Sequence, residues 1–158
     1  MIRRSTPFVL ALLVSACSPT PPPALSPKEV QDFVAQYAAA YNDGDDSKQL
    51  GMILRDPGVS SVISGRLYRG YDAIRAASDE NLSAVARIVV KVGAVDVTPL
   101  GTDAALAVAP MVLAVERFSV PVSNSLTSTD FPGALTILVK RTPEGLRIVH
   151  EHYSVRAP

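Results

Sequence analysis

The chain is 158 residues long and carries 15 basic residues against 15 acidic ones, with two histidines, one cysteine and no tryptophan. That length suits one domain with its own hydrophobic core and is too short for two. No tract of clustered Lys and Arg occurs, which disfavours nucleic acid and anionic lipid as partners, and a lone cysteine rules out a disulfide within the chain.

Arg3 and Arg4 precede an apolar stretch from Phe8 to Val14, and Ser15-Ala16-Cys17 follows. Charged, apolar and small-residue segments in that order predict an export signal over residues 1–16. Phe8 to Ala16 supplies nine residues before Ser18-Pro19, well short of the roughly 20 that a spanning helix needs. The order Val14-Ser15-Ala16-Cys17 resembles the bacterial lipobox. That resemblance implies cleavage before Cys17, a diacylglycerol on its thiol and an acyl group on the new amino terminus. The alternative is an ordinary secretory signal with a chance cysteine. Two or three acyl chains anchor stably, because each buried methylene contributes about 0.8 kcal/mol and one chain alone binds only marginally. Ser18, rather than Asp, follows the cysteine. By resemblance to lipoprotein sorting, the protein is expected in the cell envelope, on an outer membrane facing the periplasm, with the lipid bilayer as its partner through acylated Cys17. Loss of Arg3 and Arg4 lowers the basic count from 15 to 13 against 15 acidic residues, a formal charge of −2.

Residues 17–25 include Ser18-Pro19-Thr20-Pro21-Pro22-Pro23, a stiff, polyproline-like tether. The folded domain is expected over 26–158. It opens at Ser26-Pro27-Lys28-Glu29, with Ser at N-cap, Pro at N1 and Glu at N3, a capping-box pattern. Val30, Phe33, Val34, Tyr37 and Tyr41 then recur at helical spacing, and Asn42-Asp43-Gly44 supplies a left-handed stop. A shorter helix is predicted from Asp45 or Asp46 through Leu54, broken at Asp56-Pro57-Gly58. Short strands follow at Val59–Ser64 and Arg66–Tyr68, and Tyr71 or Asp72 begins a third helix carrying Ile74, Ala77 and Leu82. Beyond Ala86 the chain is β-rich: Ile88–Val92, Val95–Val97, Ala104–Phe118, Ala134–Arg141 and Leu146–Val155, the last two joined by the turn Thr142-Pro143-Glu144-Gly145. Pro110 argues against a helix within 104–118. Residues 119–133 read as a long excursion, either a lid or an extension of the sheet. Helices gathered ahead of strands predict an α+β fold, helices packed on one face of an antiparallel sheet.

Three segments carry a family resemblance. Tyr41-Asn42-Asp43-Gly44-Asp45 resembles the aromatic-Asn-x-Gly-Asp turn after the first helix of SnoaL-like proteins, in the nuclear transport factor 2-like (cystatin-like) superfamily. The run from Gly65 through Gly70 to Ala73-Ile74 is similar to that family's glycine-rich approach to its third helix. Residues 144–154, ending in His150-Glu151-His152-Tyr153-Ser154, are similar to its closing strand, with Leu146 where a tryptophan is usual. The resemblance implies a cone-shaped, curved antiparallel sheet wrapped around three N-terminal helices, enclosing a mostly apolar pocket. It also implies a choice among isomerases, cyclases, dehydratases and non-catalytic binding domains, which fold alone does not make.

His150 and His152 are the only histidines. Strict alternation along a strand places them on one face with Leu146, Ile148 and Ser154, so they are expected as pocket groups able to donate, accept or move protons near neutral pH. Tyr37 and Tyr41, one helical turn apart, should face the sheet, and the resemblance to isomerase-like members implies that a first-helix tyrosine can donate to an oxyanion if a carboxylate base lies nearby. Zinc would need a third ligand beyond a His-x-His pair and no cysteine is at hand; the Asp43–Asp46 cluster lacks the spacing of a calcium loop. No metal and no cofactor are expected. The pocket candidates are therefore Tyr37, Tyr41, Ile148, His150 and His152. The leading expectation is a tethered domain that binds a small apolar or amphipathic ligand or a protein partner. A SnoaL-like enzyme and a structural dimerisation module are the alternatives, and the uncovered sheet face leaves a homodimer open.

Overall fold

Ser26 accepts a hydrogen bond from the Glu29 amide at 3.2 Å and Pro27 occupies the first turn, so α1 (Pro27–Asn42) starts where its capping chemistry dictates. The computed structural model describes residues 23–83, 87–118 and 126–156; the predicted export signal, Cys17 and most of the predicted tether lie outside them. The Glu29 carboxylate turns away from its own helix end and accepts from Arg141 at 3.1 Å. Val30, Phe33, Val34, Tyr37 and Ala40 form the buried stripe of α1, the spacing of a single helical face. Gly44, at φ +68°, reverses the chain after it, a conformation that costs glycine nothing.

Asn42 uses its side chain as a strand. Its Nδ2 donates to the Val90 carbonyl at 2.9 Å and its Oδ1 accepts from the Val90 amide at 2.6 Å. Val90 lies in β3 (Arg87–Val92), at one end of the sheet, where backbone groups lack a neighbouring strand. The asparagine amide supplies both a donor and an acceptor there.

The helix α2 (Asp46–Gly51) is capped by Asp45, which accepts from the Lys48 amide at 2.9 Å. It stops three residues earlier than the apolar pattern predicts. Beyond it, Ile53 forms a parallel bridge with Ile148: the Ile148 amide donates to Met52 and the Leu54 amide to Ile148, each at 2.9 Å. Pairing with a buried strand wins over one more helical turn. The hairpin β1 (Ser60–Ile63) and β2 (Arg66–Arg69) leads into α3 (Tyr71–Ser83), which buries Ile74 and Ala77.

The remaining strands are β4 (Asp96–Pro99), β5 (Ala104–Phe118), β6 (Leu126–Thr142) and β7 (Gly145–Val155). They complete a curved seven-stranded sheet of order β2-β1-β7-β6-β5-β3, with β4 also on β5. All pairs are antiparallel except β1 with β7. The fold is thus α+β, as the element order predicts. Residues 126–133, the second half of the predicted excursion, are sheet: they continue β6 along β5. Residues 119–125 lie outside the described residues.

Two residues that look foreign to strands have local reasons. Pro110, which has no amide to donate, falls between the stretch of β5 paired with β4 and the stretch paired with β3; its carbonyl still accepts from Gly93 at 2.8 Å. Gly133 faces Val155 at the closing end of β7, and a Cβ there would run into the Ser154 carbonyl oxygen.

Candidate functional site

The last strand changes face in its middle. Opposite β6, Val139 pairs with Ile148 but Leu138 pairs with His150, so Val149 is an extra residue, a β-bulge. Before the bulge Leu146 and Ile148 are buried; after it Glu151 and Tyr153 are buried. The bulge reverses the phase of the strand.

This corrects the expectation for the two histidines. They are half-buried on the opposite side from Glu151, on the face of the sheet away from the helices. His150 Nδ1 lies 2.8 Å from Ser60 Oγ, its partner across the parallel β1–β7 pair. Ile148 is fully buried and ties the strand to the segment after α2; it does not line the cavity described next. The sequence carried a signal of the reversal: the apolar phase runs through Leu146 and Ile148, then through Tyr153 and Val155, with Val149 between.

What the bulge turns inward is Glu151, 3 % exposed. Its Oε2 accepts from the Tyr37 hydroxyl at 2.6 Å and its Oε1 from the Ser61 hydroxyl at 2.8 Å. Gln49 Nε2 in turn donates to the Tyr37 oxygen at 3.0 Å, and the Tyr153 hydroxyl stands close enough to the same carboxyl group to lower its pKa. Four elements place the five members: Tyr37 comes from the inner face of α1, Gln49 from α2, Ser61 from β1, and Glu151 and Tyr153 from alternate positions of β7. Ser61 faces inward because it pairs with Glu151 in the parallel ladder. None of the ion pairs among the described residues includes Glu151.

The electrostatics follow from that burial. Removal from water raises the Glu151 pKa, while the hydrogen bonds from Tyr37 and Ser61, and then the nearby Tyr153 hydroxyl, pull the other way and do not cancel it. Burial, and then the nearby Glu151 charge, raises Tyr37 and Tyr153 well above the usual phenol value. Tyr41 is pushed up to about 12 by burial first, then by Glu151 and Asp46. The phenols therefore stay protonated at neutral pH and act as donors, and the carboxyl group is held towards its neutral form.

Beside this cluster is a largely enclosed cavity of about 40 Å³, lined by Glu151, Tyr153 and Gln49, by Ser64 and Ser78, and by apolar groups that include Tyr41, Leu113 and Val155. That space suits one or two waters, so a larger guest needs the half-buried rim of Tyr41, Leu113 and Val155 to move. Tyr41 lines the cavity and Tyr37 sits behind it, holding the carboxyl group. Among the described residues, no group of three or more His, Cys, Asp or Glu side chains could hold a metal ion.

Fold and buried cluster together define a cystatin-like domain with a polar group set into an apolar cone. Residues 30–158 match the SnoaL-like domain family, and the chain belongs to it. No curated protein matches the chain. Among solved structures, it is similar to a candidate dehydratase of the nuclear transport factor 2-like family from Streptomyces avermitilis. The two share 20 % identity over 83 % of this chain and 96 % of that one, with a TM-score of 0.73. It is also similar to a nuclear transport factor 2-like superfamily protein from Salmonella enterica serovar Typhimurium, at 20 % identity over 83 % and 91 % of the two chains and a TM-score of 0.68. A Caulobacter vibrioides protein with a cystatin-like fold aligns at 20 % identity over 83 % and 89 %, with a TM-score of 0.64. At these identities the likeness speaks for the fold alone.

Proposed function

We propose that the chain is an exported lipoprotein, anchored through acylated Cys17, whose SnoaL-like domain binds a small, mostly apolar molecule in the cavity beside Glu151. One observation carries the ligand reading: a carboxyl group 3 % exposed, held by two hydroxyl donors, at the wall of an apolar cavity. Burying such a group is costly, and hydrophobic side chains would fill the same space more stably. A carboxyl held towards its neutral form can donate a hydrogen bond to a carbonyl or hydroxyl oxygen of a guest, while the walls contact its apolar remainder.

A second reading, a SnoaL-like enzyme that moves a proton on that guest, is favoured by the same carboxyl group, since an acid with a raised pKa is suited to proton transfer near neutral pH. In that reading Glu151 replaces the histidines as the acid or base, with Tyr41 as donor. The dehydratase label of one structural neighbour is compatible with it. A third, homodimerisation, rests on the sheet face away from the helices, where Leu67 is 51 % and Val108 39 % exposed.

Native mass spectrometry of the full chain reads bound small molecules and oligomeric state together. A co-purifying ligand should lose at least tenfold in occupancy in Glu151→Leu and keep it in the His150→Ala, His152→Ala double variant. Undiminished occupancy in Glu151→Leu would remove the pocket role. Glu151→Gln separates binding from catalysis: it should retain the ligand in both readings and lose turnover only if a proton is moved.

A further inference from the structure

A second, larger cleft lies outside the cone. It is an open cleft of about 540 Å³ between the loop after α2 and the turn from β2 into α3, and its lining includes Arg55, Arg69, Arg75 and Tyr71. That volume is in the range of small-molecule sites, about 300–1,000 Å³, but charged side chains and backbone dominate the walls. The three arginines are exposed, and none takes part in the ion pairs of the described residues. They come from a loop, a strand and a helix, and so form no basic tract in the sequence.

The cleft is built before anything enters it. The Gly70 amide donates to the Val59 carbonyl at 2.8 Å and so joins its two walls. Gly70 itself sits at φ +83°, its Cα side facing the Pro57 backbone. The Arg55 guanidinium lies over the Tyr71 ring, 5.2 Å from its centre. Stacking occupies the face of the guanidinium and leaves its edge N–H donors free. Two carboxylates also line the cleft. Asp56 is turned to its own loop, accepting from the Gly58 amide at 2.7 Å, and Asp72 sits in the first turn of α3, where it already complements the helix terminus. Three guanidiniums against these two leave an excess of positive charge.

We propose that this cleft binds a phosphate-bearing molecule, its oxyanion held by Arg55, Arg69 and Arg75. Guanidiniums supplied by three elements to one cleft offer donors for a tetrahedral group with several acceptor oxygens, which a planar carboxylate would leave partly unmet. The phosphate could be that of a soluble phosphoester or of a lipid headgroup, and both would meet the same donors.

The full chain carrying Cys17→Ser is titrated calorimetrically with inorganic phosphate and sn-glycerol 3-phosphate, and floated with vesicles of phosphatidylglycerol in phosphatidylcholine or of phosphatidylcholine alone. Arg55→Gln and Arg69→Gln should each weaken binding about tenfold, and the triple Arg→Gln variant at least a hundredfold. Arg55→Lys, which keeps the charge and loses the planar fork, should fall between, and Arg87→Gln, on β3, should match the parent. Thermal midpoints check folding; if the triple variant fails to fold, the single variants decide. Arginine-dependent binding of the soluble phosphates, or arginine-dependent flotation on phosphatidylglycerol vesicles alone, supports the site and tells its source. No binding in any arm, or equal binding by parent and arginine variants, overturns it.

Discussion

Glu151 is a carboxyl group placed where carboxylates are rarely tolerated, and its protonation is linked to the stability of the fold. Its folded pKa is raised above the ordinary 4.5. Between those two values the native state binds more protons than the unfolded chain, so stability falls as pH rises. The stabilising contribution of the neutral acid is complete below about pH 4.5 and is lost as pH climbs through the raised folded value. Urea unfolding at a series of pH values should show this decline in the parent and not in Glu151→Gln, which cannot ionise. Parallel pH profiles for the two proteins would mean that the carboxyl group is charged in the fold at no cost. Tyr37 and Tyr153 do not add to the decline near neutrality, because their pKa values are moved further upward.

Helix boundaries and strand positions were largely readable from local chemistry: Ser26 and Pro27 start α1, Gly44 ends it, and Thr142–Gly145 turns β6 into β7. The early stop of α2 and the sheet made by residues 126–133 were not, because distant strands supply their partners. Asn42 illustrates the middle case. Its position after the first helix was legible as part of a turn, whereas its pairing with the edge of β3 depends on a strand 48 residues away. Asn42→Ala leaves both Val90 groups without this partner and should destabilise the protein by about 2 kcal/mol, read as a lower midpoint in chemical denaturation. A change below about 0.5 kcal/mol would show that water replaces the asparagine at no cost. The bulge at Val149 had a sequence signature, the apolar phase shift along 146–155. Strict alternation across the whole strand hides it, because it places His150 and His152 inward in place of Glu151.

Taken together, the domain has two candidate binding places of opposite character, an apolar cavity with a buried acid and an open cleft rimmed by arginines. Its proposed anchor, Cys17, precedes both in the sequence. If Cys17 carries acyl chains, labelled palmitate should be incorporated by the parent and not by Cys17→Ser. The substituted protein should then move from the membrane fraction to the soluble one. A parent that fractionates as soluble would reduce residues 1–16 to an ordinary export signal.

From residue order alone came the α+β class, the three helices, the cap of the first and the SnoaL-like resemblance. These rest on local physics, on apolar periodicity and on capping chemistry, which a linear chain displays. The tertiary structure decided which side chains meet. One extra residue in β7 turned Glu151 in and the histidines out. Parallel pairing of β1 with β7 put Ser61 against that carboxyl group, and the α2–β1 loop, β2 and α3 brought three arginines to one cleft. Strand register and the convergence of distant elements are set by packing the whole core at once, and no short window of sequence contains that constraint.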